Sequence, residues 1–282
     1  MILGMDPVLP EAPERPPPTD AERMGRADLK ISPQVRRLRR FWRTIPSAPR
    51  CKMCTSPFGP PAGPVLRLIG KGRWAGNSDY CAGCFRQLYR DRAGAEIECT
   101  LLFADIRGST QLAESMRATE FRMVLDRFYR TAAEVLIKHE AIVDKFAGDE
   151  VIGIFIPALA GDEHARQAID AGLSLLRATG HEKDAPWAPI GIGINTGDAF
   201  VGVVGTEDHV EFTALGDNVN VTARLASAAA AGEILVTEAA ARSAGVAVDE
   251  GPRRPEHRRL DLRGKTEATD VFVLTLAGAS VG

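Results

Sequence analysis

Aromatic residues are scarce, at 6% of the 282 residues, and no apolar run is long enough to cross a bilayer. The longest such stretch, Val151 to Ala160, is interrupted by Pro157. The N-terminus lacks the charged, apolar, small-residue order of a secretory leader, so the expectation is a cytoplasmic protein with no transmembrane segment. Charge of one sign is also missing: the formal net charge is -2, which excludes whole-chain attraction to nucleic acid or acidic membranes. Cysteine is sparse, at five residues, but four form Cys51-Lys-Met-Cys54 and Cys81-Ala-Gly-Cys84. In a reducing compartment such pairs suit a metal better than a disulfide framework.

What is present divides the chain unevenly. Residues 1–30 carry Pro7, Pro10, Pro13, Pro16, Pro17 and Pro18 among acids and small residues, a composition expected to remain disordered. Residues 31–50 hold Arg36, Arg37, Arg39, Arg40, Arg43 and Arg50 and no acid, with Val35, Leu38, Phe41, Trp42 and Ile45 at helical spacing. A short basic amphipathic helix follows from that pattern. It could meet headgroups or a partner helix; packing on its own protein is the favoured reading, because one short helix is weak ground for a membrane role. Residues 51–95 read as a zinc-ribbon-like unit and a linker helix. Cys51, Cys54, Cys81 and Cys84 can present four thiolates to one structural Zn²⁺, and Cys99 is left as a core thiol. The unit's regulatory partner is not legible, and a nucleic-acid role has little behind it because basic residues in the spacer are few.

From residue 96 to 277, strand-like and helix-like segments alternate as β-α-β-β-α-β. This is the ferredoxin-like order of an α+β fold, expected to carry its helices on one face of a largely antiparallel sheet. Pro189 to Asn195 and Ala199 to Val204 read as two strands about a Thr-Gly-Asp turn, and Phe85 to Ala95 as helical. Asp105 ends an apolar strand, and Asp149 sits in the turn between two more. Two carboxylates at one end of neighbouring strands can bridge hard cations, or can be solvated turn acids.

The segments FADIRGST, KFAGDE, GINTGDAFVGVVG and LGDNVNVTARL, in this order and spacing, resemble the catalytic core of the class III adenylyl and guanylyl cyclases from about Glu98 to Leu276. The resemblance implies two Mg²⁺ or Mn²⁺ per active site, held by Asp105, Asp149 and the main-chain carbonyl of Ile106. It assigns Asn220 and Arg224 to the transition state, Lys145 and Thr213 to the purine, and Lys265 to the triphosphate. Thr213 departs from the Asp of many adenylyl cyclases and from the Glu and Cys of guanylyl cyclases; Lys with Thr is similar to a hydroxyl-bearing adenylyl subset. Ser109 stands where many members carry Phe. The implied activity is conversion of ATP to 3′,5′-cyclic AMP and pyrophosphate at a homodimer interface. The alternatives are a guanylate cyclase, a catalytically weak nucleotide-sensing module, or a cyclic-dinucleotide synthase on a related scaffold; the last lacks its Gly-Gly-Asp-Glu-Phe turn.

Overall fold

The computed structural model describes residues 33–45, 47, 49–74, 77–85, 94–183, 185–205, 210–246, 255–261 and 268–277. The proline-rich segment 1–30 and Lys265 lie outside the described residues.

The sheet is built around β3 (Gly94–Ile106), which is flanked by β5 (Glu150–Phe155) and β6 (Ile190–Gly205). With β4 (Ile142–Ala147) outside β5, the core order β4-β5-β3-β6 is antiparallel throughout. Helix α4 (Ala118–Lys138) links β3 to β4, and α6 (His164–Thr179) links β5 to β6, which completes the ferredoxin-like order. Shorter helices α3 (Ser109–Ser115) and α5 (Pro157–Ala160) precede α4 and α6, and ahead of the sheet lie α2 (Gly63–Leu68) and the antiparallel pair β1 (Arg73–Trp74) and β2 (Asn77–Cys81). Beyond β6 the sheet continues through β8 (Ile234–Thr237), β10 (Thr269–Leu274) and β9 (Glu256–Leu260), with β8 parallel to β6. The last six residues of β6, 200–205, pair with β7 (Val210–Leu215).

Three expectations are corrected. The Thr196-Gly197-Asp198 segment makes no turn; β6 runs straight through it, because β3 supplies the partners Thr100, Cys99 and Glu98 along its whole length. Gly94 and Ala95 belong to β3 rather than to a helix, while residues 86–93 lie outside the described residues. Helices cover both faces of the sheet, not one. Phe128, Ala132 and Leu136 of α4 and Leu175 and Leu176 of α6 pack on Leu102, Ala104, Ile192 and Ile194. On the opposite face, Ala226 of α7 (Asp217–Ala228) and Cys51, Met53, Cys54, Tyr80 and Cys81 pack on Leu101, Phe103, Ile152 and Ile154. Burial on both faces is why β3 reads as an unbroken apolar run. It also explains Gly193: a Cβ there would lie 2.4 Å from the backbone nitrogen of Ala226, so α7 sits directly on the strand.

In the N-terminal helix α1 (Pro33–Arg43), Arg36, Arg39 and Arg43 donate to main-chain carbonyls of the same chain. Arg43 donates to the carbonyls of Ile137 and Lys138, at the negative end of α4, and pairs with Glu140 at 2.6 Å. Arg39 is 1% exposed and donates to the carbonyls of Met53 at 2.6 Å and Ala141 at 2.8 Å; burial lowers its pKa to about 10. Arg39→Met would orphan these buried carbonyls. It is expected to cost on the order of 3 kcal/mol and to lower the melting temperature by roughly 6–12 °C, read by thermal denaturation.

Candidate active site

The turn between β4 and β5 is the two-residue loop Gly148-Asp149, with Gly148 at φ +65°, where a side chain would be strained. The amide of Ile106 donates to the carbonyl of Asp149 at 3.2 Å, which ties the end of β3 to this turn. Asp105 lies opposite Glu150 in the β3–β5 register, so Asp105, Asp149 and Glu150 share one corner. Burial, then the neighbouring Asp149 carboxyl, raises Asp105 to about 6; burial and the charges of Asp105 and Asp149 raise Glu150 to about 7. Arg107 pairs with one oxygen of Asp105 and donates to the carbonyl of Ser227 at 2.9 Å. The other oxygen, Oδ1 of Asp105, is buried and has no protein partner.

An orphaned carboxylate oxygen beside further carboxylates has the chemistry of a hard-cation site, since a divalent ion would satisfy the oxygen and remove the repulsion. The residues therefore fit Mg²⁺ or Mn²⁺. The Ile106 side chain is buried in the core, so what this residue can offer is its main chain.

Lys145 and Thr213 come together along a different edge. Between Val143 and Phe146 the β4–β5 ladder slips: Asp144 and Lys145 together oppose Ile152, which is a β-bulge. The bulge directs both side chains toward β7. Lys145 Nζ lies 3.9 Å from Glu211, and the Thr213 hydroxyl donates to Asp144 Oδ2 at 2.8 Å. The Lys145 side chain is 44% exposed, whereas Thr213 is buried. Burial raises Asp144, and the Thr213 hydroxyl opposes that rise.

Asn220 and Arg224 occupy α7 four residues apart, away from its buried positions Asn218, Val221, Thr222 and Leu225. Neither bonds to Asp105 or Asp149 within the chain. Asn218 anchors the start of α7 by donating to the carbonyls of Gly197 at 2.8 Å and Cys99 at 3.2 Å. Arg107, Asp144, Glu150 and Asn218 were not singled out from sequence. Arg107, Glu150 and Asn218 lie inside the quoted motifs, and Asp144 directly precedes one.

The four thiols Cys51, Cys54, Cys81 and Cys84 also converge: their sulfurs lie within 4.8 Å of one another, Cys54 and Cys81 at 3.7 Å. A tetrahedron with metal–sulfur bonds of about 2.3 Å has edges of about 3.8 Å, so the cluster has the size zinc requires. Hydrogen bonds from the neighbouring thiols, that of Cys51 foremost, pull Cys81 far below the ordinary thiol range, and burial pushes Cys51 up. Cys99 stands apart in the core, with burial raising it to about 12.

The ferredoxin-like sheet thus places a carboxylate corner at the β3 end and Asn220 and Arg224 on α7. The chain belongs to the adenylate and guanylate cyclase catalytic domain family, which matches residues 93–275. Among solved structures it is similar to the guanylyl cyclase Cya2, at 26% identity and TM-score 0.56 over 64% of this chain and 92% of that one. It is also similar to the adenylyl cyclase CyaB from P. aeruginosa, at 25% identity and TM-score 0.56 over 64% of this chain and 96% of that one. The adenylate cyclase of Dictyostelium discoideum specific to terminal differentiation is 30% identical over 179 residues, which is 61% of this chain and 8% of the relative. Adenylate cyclase 1 of Rhizobium meliloti is 32% identical over 140 residues, 48% of this chain and 21% of the relative. The chain thus spans less than a quarter of either relative's length. Among the described residues, no helix is long and apolar enough to cross a membrane.

Proposed function

We propose that the chain is a cytoplasmic, homodimeric adenylate cyclase that converts ATP to 3′,5′-cyclic AMP and pyrophosphate. The observation that carries this reading is the corner of Asp105, Asp149 and Glu150 with its orphaned Asp105 oxygen. Two Mg²⁺ or Mn²⁺ held there by Asp105, Asp149 and the Ile106 carbonyl would favour the ionised 3′ oxygen and neutralise the leaving phosphates. A bond forms from the 3′ oxygen to the α-phosphorus, the α–β phosphoanhydride bond breaks, and the hydroxyl proton passes to solvent. Arg224 supplies fixed positive charge where the phosphorane gathers negative charge, and Asn220 orients the ribose. Lys265 is assigned to the triphosphate.

Base choice rests on Lys145 and Thr213. The ammonium can donate to adenine N1. The Thr213 proton is given to Asp144, so the hydroxyl oxygen is left as an acceptor for the exocyclic amine. Guanine reverses both requirements at these two ring positions. Asn220 and Arg224 lie on the exposed side of α7 and, among the described residues, bond to neither Asp105 nor Asp149, an arrangement compatible with a site shared across a two-fold axis.

Purified protein incubated with ATP or GTP and Mg²⁺ or Mn²⁺ should yield cyclic AMP, with ATP preferred, when products are separated by chromatography. No cyclic product from either nucleotide would overturn the reading. The cysteine cluster is assigned one structural Zn²⁺ per chain, and elemental analysis of freshly purified protein should find one equivalent. A metal-free preparation would remove that assignment.

A further inference from the structure

The four-cysteine unit packs against the two strands that carry Lys145 and Thr213, each of which has one ladder partner among the described residues. Among the described residues, β4 is the outermost strand of its side of the sheet and β7 pairs with β6 alone. The bulge in β4 further removes backbone groups of Asp144 and Lys145 from the ladder, and such groups need other partners.

The N-terminal unit supplies them at matching positions. Lys52, beside Cys51, donates through Nζ to the carbonyl of Asp144, which precedes Lys145. Tyr80, beside Cys81, accepts at its hydroxyl from the amide of Phe212 at 3.2 Å, and Phe212 precedes Thr213. Arg39 joins the carbonyl of Met53, beside Cys54, to that of Ala141 at the head of β4. Apolar contact reinforces the same seat, since Cys51, Met53, Cys54, Tyr80 and Cys81 share one cluster with Ile142, Phe212 and Ala214. Two of these ties, from Lys52 and Tyr80, start one residue from a cysteine of the cluster and end one residue from a base-reading position.

We propose that the four-cysteine knuckle positions the base-reading wall, with Lys52 and Tyr80 as the positioning residues that carry its geometry to Lys145 and Thr213. The inference rests on the assignment of those two residues to the purine. A metal closing the knuckle fixes the backbone from which Lys52 and Tyr80 reach. Losing it frees the main chain at Asp144 and Phe212, while the amide of Ile106 still holds the carbonyl of Asp149 at the carboxylate corner. The effect belongs on nucleotide affinity and base choice, and not on the chemical step.

The test uses the full chain carrying Lys52→Met, Tyr80→Phe and both, with ATP and GTP as probes and Lys145→Ala as a reference. In the double variant we expect zinc content and kcat within about twofold of wild type, KM for ATP raised on the order of 10-fold, and the ATP/GTP ratio of kcat/KM lowered. Chelating the zinc of the wild-type protein should reproduce the KM shift, and should add little to the double variant. An unchanged KM in the double variant, with Lys145→Ala altering the ratio, overturns the positioning role and leaves the base-reading assignment standing. An equal loss of kcat on both nucleotides at unchanged KM also overturns it, because it marks general destabilisation. If Lys145→Ala leaves the ratio unchanged, the base-reading assignment fails and the proposal with it.

Discussion

Asp105→Ala or Asp149→Ala is expected to abolish cyclic nucleotide formation while leaving the fold intact. Loss of one ligand from a two-metal centre removes charge neutralisation at the reacting phosphate, an effect on the order of 100-fold or more in turnover. Stability should be spared because burial, and then the neighbouring carboxylates, hold Asp105 and Glu150 above the ordinary carboxyl range, at about 6 and about 7, so the corner disfavours its own charges. Removing one of these charges relieves that cost, and Arg107 keeps its bond to the Ser227 carbonyl. Turnover measured beside a thermal melt separates the outcomes: a variant that retains more than about a tenth of wild-type turnover contradicts the metal role.

A second large effect is expected from mixing two dead variants. In a shared-site dimer, Asp105→Ala lacks a metal ligand at both sites, and Arg224→Ala lacks the transition-state cation at both. In a mixed dimer one site draws Asp105 from the Arg224 variant and Arg224 from the Asp105 variant, so it is complete, while the other has lost both. Random pairing makes about half of the dimers mixed, each with one good site of two, and co-expression should restore about a quarter of wild-type activity. If native mass measurements confirm mixed dimers and the mixture stays as inactive as its parents, the shared site is wrong. Asn220 is exposed on α7 and Arg224 is half-buried beside it, which leaves both available to a partner surface.

Legibility followed the range of the interactions. The apolar period of residues 118–138 and the alternation across Ile190 to Ile194 depend on neighbours within a few residues, so they could be read directly. The same holds for the two C-x-x-C pairs, whose spacing brings two thiols together whatever the rest of the chain does. The Thr-Gly-Asp segment misled because its composition favours a turn, yet three cross-strand partners from β3 outweigh that local preference.

The sequence by itself determined the strand and helix order of the core, the acids at the β3 end and in the β4–β5 turn, and the cysteine pairs. Those features are local, or are carried by contiguous motifs. Only the tertiary structure decided that α7 covers the sheet face opposite α4 and α6, that Thr213 is buried against Asp144, and that the cysteine unit seats on β4 and β7. Thr213 and Asp144 are 69 residues apart, and Tyr80 and Phe212 are 132 apart. At such separations no periodicity or spacing links the partners, and the contact exists because sheet register and burial of the second face bring the two segments together.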